Sequence, residues 1–391
     1  MPVAVGATSV LTFLLTATVA PAGAQAAGAQ AAGAPAAGAP WVIAPAPTNP
    51  SFVSSLTSIS CVSVPGCMAV GYHEVDDHDQ TLAEQWDGTG WTRIPSPNIG
   101  PDSQLVSVSC VALSSCMAVG HSAHGGGDLA LAEQWNGSTW SVVAPAASGE
   151  PYDSLSSVSC SAAAACTAVG DAQHQTPGKT IASAPLLEQW DGSGWSTAPN
   201  PGTGLTGSLA AVSCPSTTSC TAVGQSGGRT LTLRGLGTTW TVVPSPNAGK
   251  EGDTLTGVSC ASASSCVAVG WSDNLSVQKT LVEQGGGGFW AIVPSPNASR
   301  FNDFLKAVSC STATTCVAVG YSRTNSGRRK NEALVERWDG GTWAIVPSPN
   351  PPGSLGTTLS TVSCTAPSAC TAVGDDNHPP GFHTVVLRQT P

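Results

Sequence analysis

Fourteen cysteines, seven histidines and a set of carboxylates clustered beside the histidines are the side chains of this 391-residue sequence best suited to chemistry. The cysteines pair six residues apart: Cys61 with Cys67, Cys110 with Cys116, Cys160 with Cys166, Cys214 with Cys220, Cys260 with Cys266, Cys310 with Cys316 and Cys364 with Cys370. Two thiols at that spacing can close a disulfide or offer thiolates to zinc. Zinc sites favour a closer Cys-x2-Cys spacing, and neighbouring pairs here stand about fifty residues apart, so disulfides are expected. Each would be worth roughly 2 kcal/mol through the entropy of the short loop it closes. The histidines, His73, His78, His121, His124, His174, His378 and His383, stand among Glu74, Asp76, Asp77, Asp79, Asp128, Asp171, Asp375 and Asp376. Imidazole beside carboxylate suits a divalent cation or acid–base catalysis. His73, Asp77, His78 and Asp79 are the candidate metal group, although Glu74 to Asp79 lacks the glycine and register of an EF-hand. His-Glu-x-x-His does not occur. Solvated polar loops are the plainer reading.

The elements that must position these residues follow from an internal repeat. First cysteines recur at spacings of 49, 50, 54, 46, 50 and 54 residues, which gives seven units. Each unit reads as four short strands. Strand a ends in Val-Ser-Cys, with apolar and small polar residues alternating, as in Val106 to Cys110. Strand b is Cys-x-Ala-Val-Gly, and strand c is the Leu-x-Glu-Gln-Trp element that ends at Trp86, Trp135, Trp190 and Trp338. An Asp-Gly or Asn-Gly turn leads to strand d, which begins at Trp91, Trp140, Trp195 or Trp343. Strand d exits through Pro-Ser-Pro-Asn in most units, and proline, having no N–H, puts it at the outer edge of its blade. Gly235 and Gly285 take the first Trp position in units four and five, which suggests looser packing there. The Glu of strand c (Glu84, Glu133, Glu188, Glu283, Glu336) is expected to serve a neighbouring blade or the backbone, since Leu233 and Leu387 replace it.

The seventh unit stops after strand c, and Trp41 to Asn49 has the strand d pattern ahead of the first strand a. The expected fold is therefore an all-β, seven-bladed β-propeller over residues 41–391, closed by an N-terminal strand that completes the last blade. Residues 1–24 read as a signal peptide, with an apolar stretch from Val10 to Val19 and an Ala-Gly-Ala site, and residues 25–40 as an Ala/Gly/Pro-rich linker. No transmembrane helix is expected, and export would suit the paired cysteines, so a secreted monomer is expected.

A glycine ending strand b, a variable loop, and a strand running into Asp-Gly-x-x-Trp with a proline-rich exit resemble the kelch blade. The full repeat, Ser-Cys-x5-Cys-x-Ala-Val-Gly followed by Trp-x3-Pro-Ser-Pro-Asn, is similar to secreted repeat proteins of high-GC bacteria of the actinobacterial type, whose function is unassigned. The resemblance implies the propeller and says little about activity.

Residues repeated in every blade serve architecture, so function is sought where the units differ. Unit length varies almost wholly between strands b and c, and all seven histidines fall in that segment in units seven, one, two and three. The first residue after each strand b glycine forms a candidate ligand-binding ring: Tyr72, His121, Asp171, Gln225, Trp271, Tyr321 and Asp375. Aromatic and hydrogen-bonding side chains of this kind suit a glycan, a protein or a small polar ligand. Nucleic acid is excluded, because 14 basic residues and a formal charge of -10 cannot track phosphates. The sequence thus reads as a non-catalytic extracellular binding or scaffold module with no cofactor expected. The alternative is an extracellular hydrolase- or lyase-type enzyme with a His/Asp site in the same loops.

Overall fold

The computed structural model describes residues 1–2, 39–46, 53–64, 66–124, 127–150, 152–174, 182–201, 204–275, 277–324, 330–379 and 381–389. The expected signal peptide and most of the linker lie outside the described residues, as do Arg328 and Arg329.

Among the described residues, twenty-eight strands form seven antiparallel sheets of four. In blade one, strand a (Ser54–Ser63) pairs with b (Gly66–Val75), b with c (His78–Trp86) and c with d (Trp91–Ile94). Strand a of every blade packs against strand a of the next, and strand a of blade seven (Gly356–Ala366) returns to that of blade one. The ring is closed. Its outermost strand in blade seven is Trp41–Ile43, whose Trp41 lies opposite Gln389 on strand c (Gly381–Gln389). Trp41 is buried there.

Two features of the repeat acquire physical reasons. Strand a carries a bulge in every blade, for example between Leu56 and Ser58 or Leu305 and Ala307. Opposite it lies the strand b glycine. A Cβ on Gly71 would sit 1.9 Å from the Ser55 carbonyl oxygen, and one on Gly120 would sit 2.0 Å from that of Gln104. Only glycine fits. The Ser of Val-Ser-Cys solves the problem of the innermost edge, whose N–H groups face no further strand. Each Ser hydroxyl accepts from the Cys N–H of the next blade at 2.9–3.0 Å, from Cys110 onto Ser60 round to Cys61 onto Ser363.

All seven cysteine pairs are disulfides joining strands a and b of one blade, with Cα atoms 3.9–4.1 Å apart. Seven disulfides are the mark of an oxidising environment. Among the described residues, no helix is long and apolar enough to cross a membrane. The expectation of looser packing in blades four and five is corrected. Gly235 and Gly285 let Trp240 and Trp290 fold over them, a Cβ would meet those rings at 2.9 and 2.7 Å, and both indoles are buried.

Candidate functional site

The segments between strands b and c that carry the histidines extend the hairpins. In blade one His73 pairs with Gln80 and Val75 with His78, so the connection shrinks to Asp76 and Asp77, with φ of 52° and 63°. Both residues sit in the left-handed region that a two-residue hairpin turn requires, which Asp tolerates better than most residues. The polar segment that suggests a loop is here paired strand, with His73 buried and the adjacent Glu74 exposed.

This geometry separates the candidate metal group. Opposed residues share a face, so His73 and His78 lie on one face of the hairpin and Asp79 on the other. His73 is buried, its Nδ1–H directed at the Gln80 carbonyl at 3.2 Å and its Nε2 accepting from the Arg93 guanidinium. Burial, and then Arg93, push its pKa down, which keeps the ring neutral. His78 lies 3.2 Å from Asp102, whose same oxygen accepts the Asp79 N–H at 3.0 Å, while Asp79 accepts from Gln104 at 2.6 Å. Asp77 is used by the turn. No group of three or more His, Cys, Asp or Glu that could hold a metal forms among the described residues.

The seven residues after the strand b glycines all stand one step along strand b, opposite strand a, and all are half-buried. They are not equivalent in setting. Asp375 is pushed up to about 6 by burial, and Tyr72 is raised by its own burial and by the nearby Asp375 and Asp79 carboxylates. Asp171 accepts from Ser154 at 2.8 Å and from Gln173 at 3.2 Å. Gln225 accepts from the Gly228 N–H at 3.4 Å. His121 faces Gln104 across the strand pair.

Trp271 and Tyr321 belong to a cluster that the repeat-based reading missed. Phe304, on strand a of blade six (Asp303–Thr312), stacks on Tyr321 at 4.8 Å and meets Trp271 edge-on at 5.4 Å. The Lys306 ammonium lies 5.5 Å from the Trp271 centroid and 5.9 Å from that of Tyr321. Arg323 reaches Phe304 and Tyr321 at 5.5 and 5.9 Å. A signal was available: Phe304 and Lys306 stand where blade one has Ser55 and Thr57.

Two cavities lie elsewhere. One of about 400 Å³ is lined by His73, Thr81, Arg93, Ser96 and Asn98. The other, about 410 Å³, lies at the closing seam beside Val42, Val64, Arg388 and Gln389, where blade seven has Gln in place of the first Trp.

Four of the five strand c glutamates take a partner from the preceding blade; Glu84 has no such hydrogen bond among the described residues. Ser96, Ser245 and Ser295 of the Pro-Ser-Pro exits donate to Glu133, Glu283 and Glu336 of the following blades at 2.5, 2.7 and 2.6 Å. For Glu188 the donor is the Ala146 N–H at 3.0 Å, available because Ala replaces the second proline. Burial raises Glu84, Glu133, Glu188 and Glu283 to about 7 and Glu336 to about 8. Where the next blade has Leu387, Ser348 turns instead to the Ala333 carbonyl at 2.8 Å.

No protein-family model and no curated protein matches the chain. Solved structures do. YCF48 bound to a D1 peptide is 14% identical, with 90% of this chain and 97% of that one covered and a TM-score of 0.54. Sqt1 from Chaetomium thermophilum is 12% identical over 90% of this chain and 99% of that one, with a TM-score of 0.51. A protein of unknown function from Dyadobacter fermentans is 8% identical over 90% and 99%, with a TM-score of 0.54. At these identities the likeness carries the propeller fold alone.

Proposed function

We propose that this chain is a secreted, non-catalytic binding module that takes a segment of another protein at the ring formed by Tyr72, His121, Asp171, Gln225, Trp271, Tyr321 and Asp375. One observation carries the reading: seven blades with the same backbone present seven half-buried side chains at the same register, and this is where the residue types diverge. A rigid scaffold with a varied ring is suited to reading an irregular ligand. The propeller of YCF48, which was solved with a peptide, supports a protein segment over a glycan or small polar molecule. The disulfides and the apolar N-terminal stretch support export.

Selection of random displayed peptides on the full-length disulfide-bonded protein tests this. Enriched peptides should lose binding when Trp271 and Tyr321 are replaced by Ser and keep it when His383 is replaced. Failure to enrich any peptide, or enrichment indifferent to the Trp271/Tyr321 change, overturns it. Retention of an oligosaccharide on a glycan array instead would move the ligand class to sugars.

A further inference from the structure

We propose that Lys306, set against Trp271, Phe304 and Tyr321, is an anion subsite that receives a carboxylate of the bound peptide, from an Asp or Glu side chain or a free C-terminus. The inference rests on the peptide reading of the ring and adds the chemistry that the peptide must carry.

Lys306 is the bulge residue of strand a in blade six. A bulge leaves one residue outside the ladder and turns its side chain away from the regular alternation. The corresponding residues of the other blades are Thr57, Val106, Ser156, Ala210, Thr256 and Ser360, all short and uncharged. Where threonine stands there, its hydroxyl closes the ring. Thr57 donates to the Leu105 carbonyl at 2.7 Å and Thr256 to that of Leu305 at 2.8 Å. A lysine in this position serves no such joint, and its ammonium reaches the aromatic residues of blades five and six instead.

Among the described residues, no carboxylate forms an ion pair with Lys306 and no acceptor takes its protons. Burial alone pulls its pKa down. Cation–π contacts offset part of the lost hydration but supply no negative charge. Arg323 brings a second cation to the same cluster, against Phe304 and Tyr321. The negative groups of the ring, Asp375 and Asp171, belong to blades seven and three. An incoming carboxylate therefore meets positive charge at blade six and repulsion at blade seven, which gives the ligand a direction as well as an anchor. The half-buried Trp271 and Tyr321 rings, backed by the buried Phe304, offer the flat apolar surface on which the aliphatic part of a Glu or a C-terminal residue can lie.

The test uses capped hexapeptides on an array, each synthesised with Asp or Glu and with Asn or Gln, probed with the full-length protein. Acidic members should bind at least tenfold more tightly than their amides. Lys306→Met, which keeps length and removes charge, should bring the two forms to equal affinity, and Lys306→Arg should preserve the difference. Circular dichroism and melting of each variant check that the ring is intact. Equal binding of acid and amide by the unaltered protein, or an acid preference that survives Lys306→Met, overturns the subsite and leaves the peptide reading standing. If no hexapeptide of either form binds, the peptide reading fails, and the subsite is read by saturation-transfer NMR with phenylacetate and phenylacetamide. A phenylacetate signal that is lost in Lys306→Met retains an anion subsite for a small ligand; equal signals from the two probes overturn it.

Discussion

At Gly120 a single methyl group would lie 2.0 Å from a backbone oxygen, whereas at Gly90 nothing stands within 4 Å of the same added atom. Gly120→Ala should therefore cost more than about 2 kcal/mol, and Gly90→Ala less than about 0.5 kcal/mol, because only the first forces two strands apart. Urea unfolding midpoints compare the two directly; similar midpoints would mean that the bulge yields freely. Charge at single positions makes a second prediction. The five strand c glutamates titrate near 7 to 8 in the folded protein, well above their range in an unfolded chain. Between about pH 4.5 and 8 the folded state thus holds more protons than the unfolded one, so stability falls as pH rises across that window. At about 1.4 kcal/mol per pKa unit, each group contributes at most roughly 3 to 5 kcal/mol, Glu336 the most. Melting temperature should be higher at pH 5 than at pH 8, and Glu283→Leu should flatten the profile by one group's share. Leu233 and Leu387 already show that the position accepts leucine. A profile indifferent to pH would show that these carboxyls are ionised when buried.

For the elements, the critical one is Trp41–Ile43, which supplies the outer strand of blade seven. Without it strand c of that blade becomes an exposed edge, and the cover on Val385 and Leu387 is lost. Deleting residues 41–46 should lower the melting temperature of the whole ring, since blade seven packs on blades six and one. A truncated protein that melted with the intact one would show that closure does not depend on this strand. The hairpins beyond the strand b glycines are elements of a different sort: they carry few core residues and tolerate differences in length between blades.

At the scale of the whole ring, the described residues from 39 onward form a closed belt of like units, joined by the Ser-to-Cys hydrogen bonds at the centre and, between some blades, the Ser-to-Glu bonds farther out. Its seven disulfides are local, each closing one hairpin, so they lower the entropy of the unfolded chain without tying blades together. Protein purified from an oxidising compartment should have a mass short by fourteen hydrogens and no thiol open to alkylation under denaturing conditions, since no cysteine is free. Thiols found in such protein would contradict that.

Repetition made the architecture legible from the chain alone. The number of blades, the cysteine pairing, the outer position of strand d and the permuted closing strand all follow from periodicity and from proline's missing donor, because the same local need recurs seven times. What breaks the repeat was harder to read. Pairing across the sheet decides that His73 turns to Arg93 and away from Asp79, that the polar hairpins are strands, and that Trp240 and Trp290 fill the space above two glycines. Lys306 and Phe304 were visible as letters, but their meeting with Trp271 depends on a bulge that re-aims one side chain and on the neighbouring blade that supplies the ring. Contacts between blades join residues some fifty positions apart in the sequence, and only the closed ring brings those side chains within reach of one another.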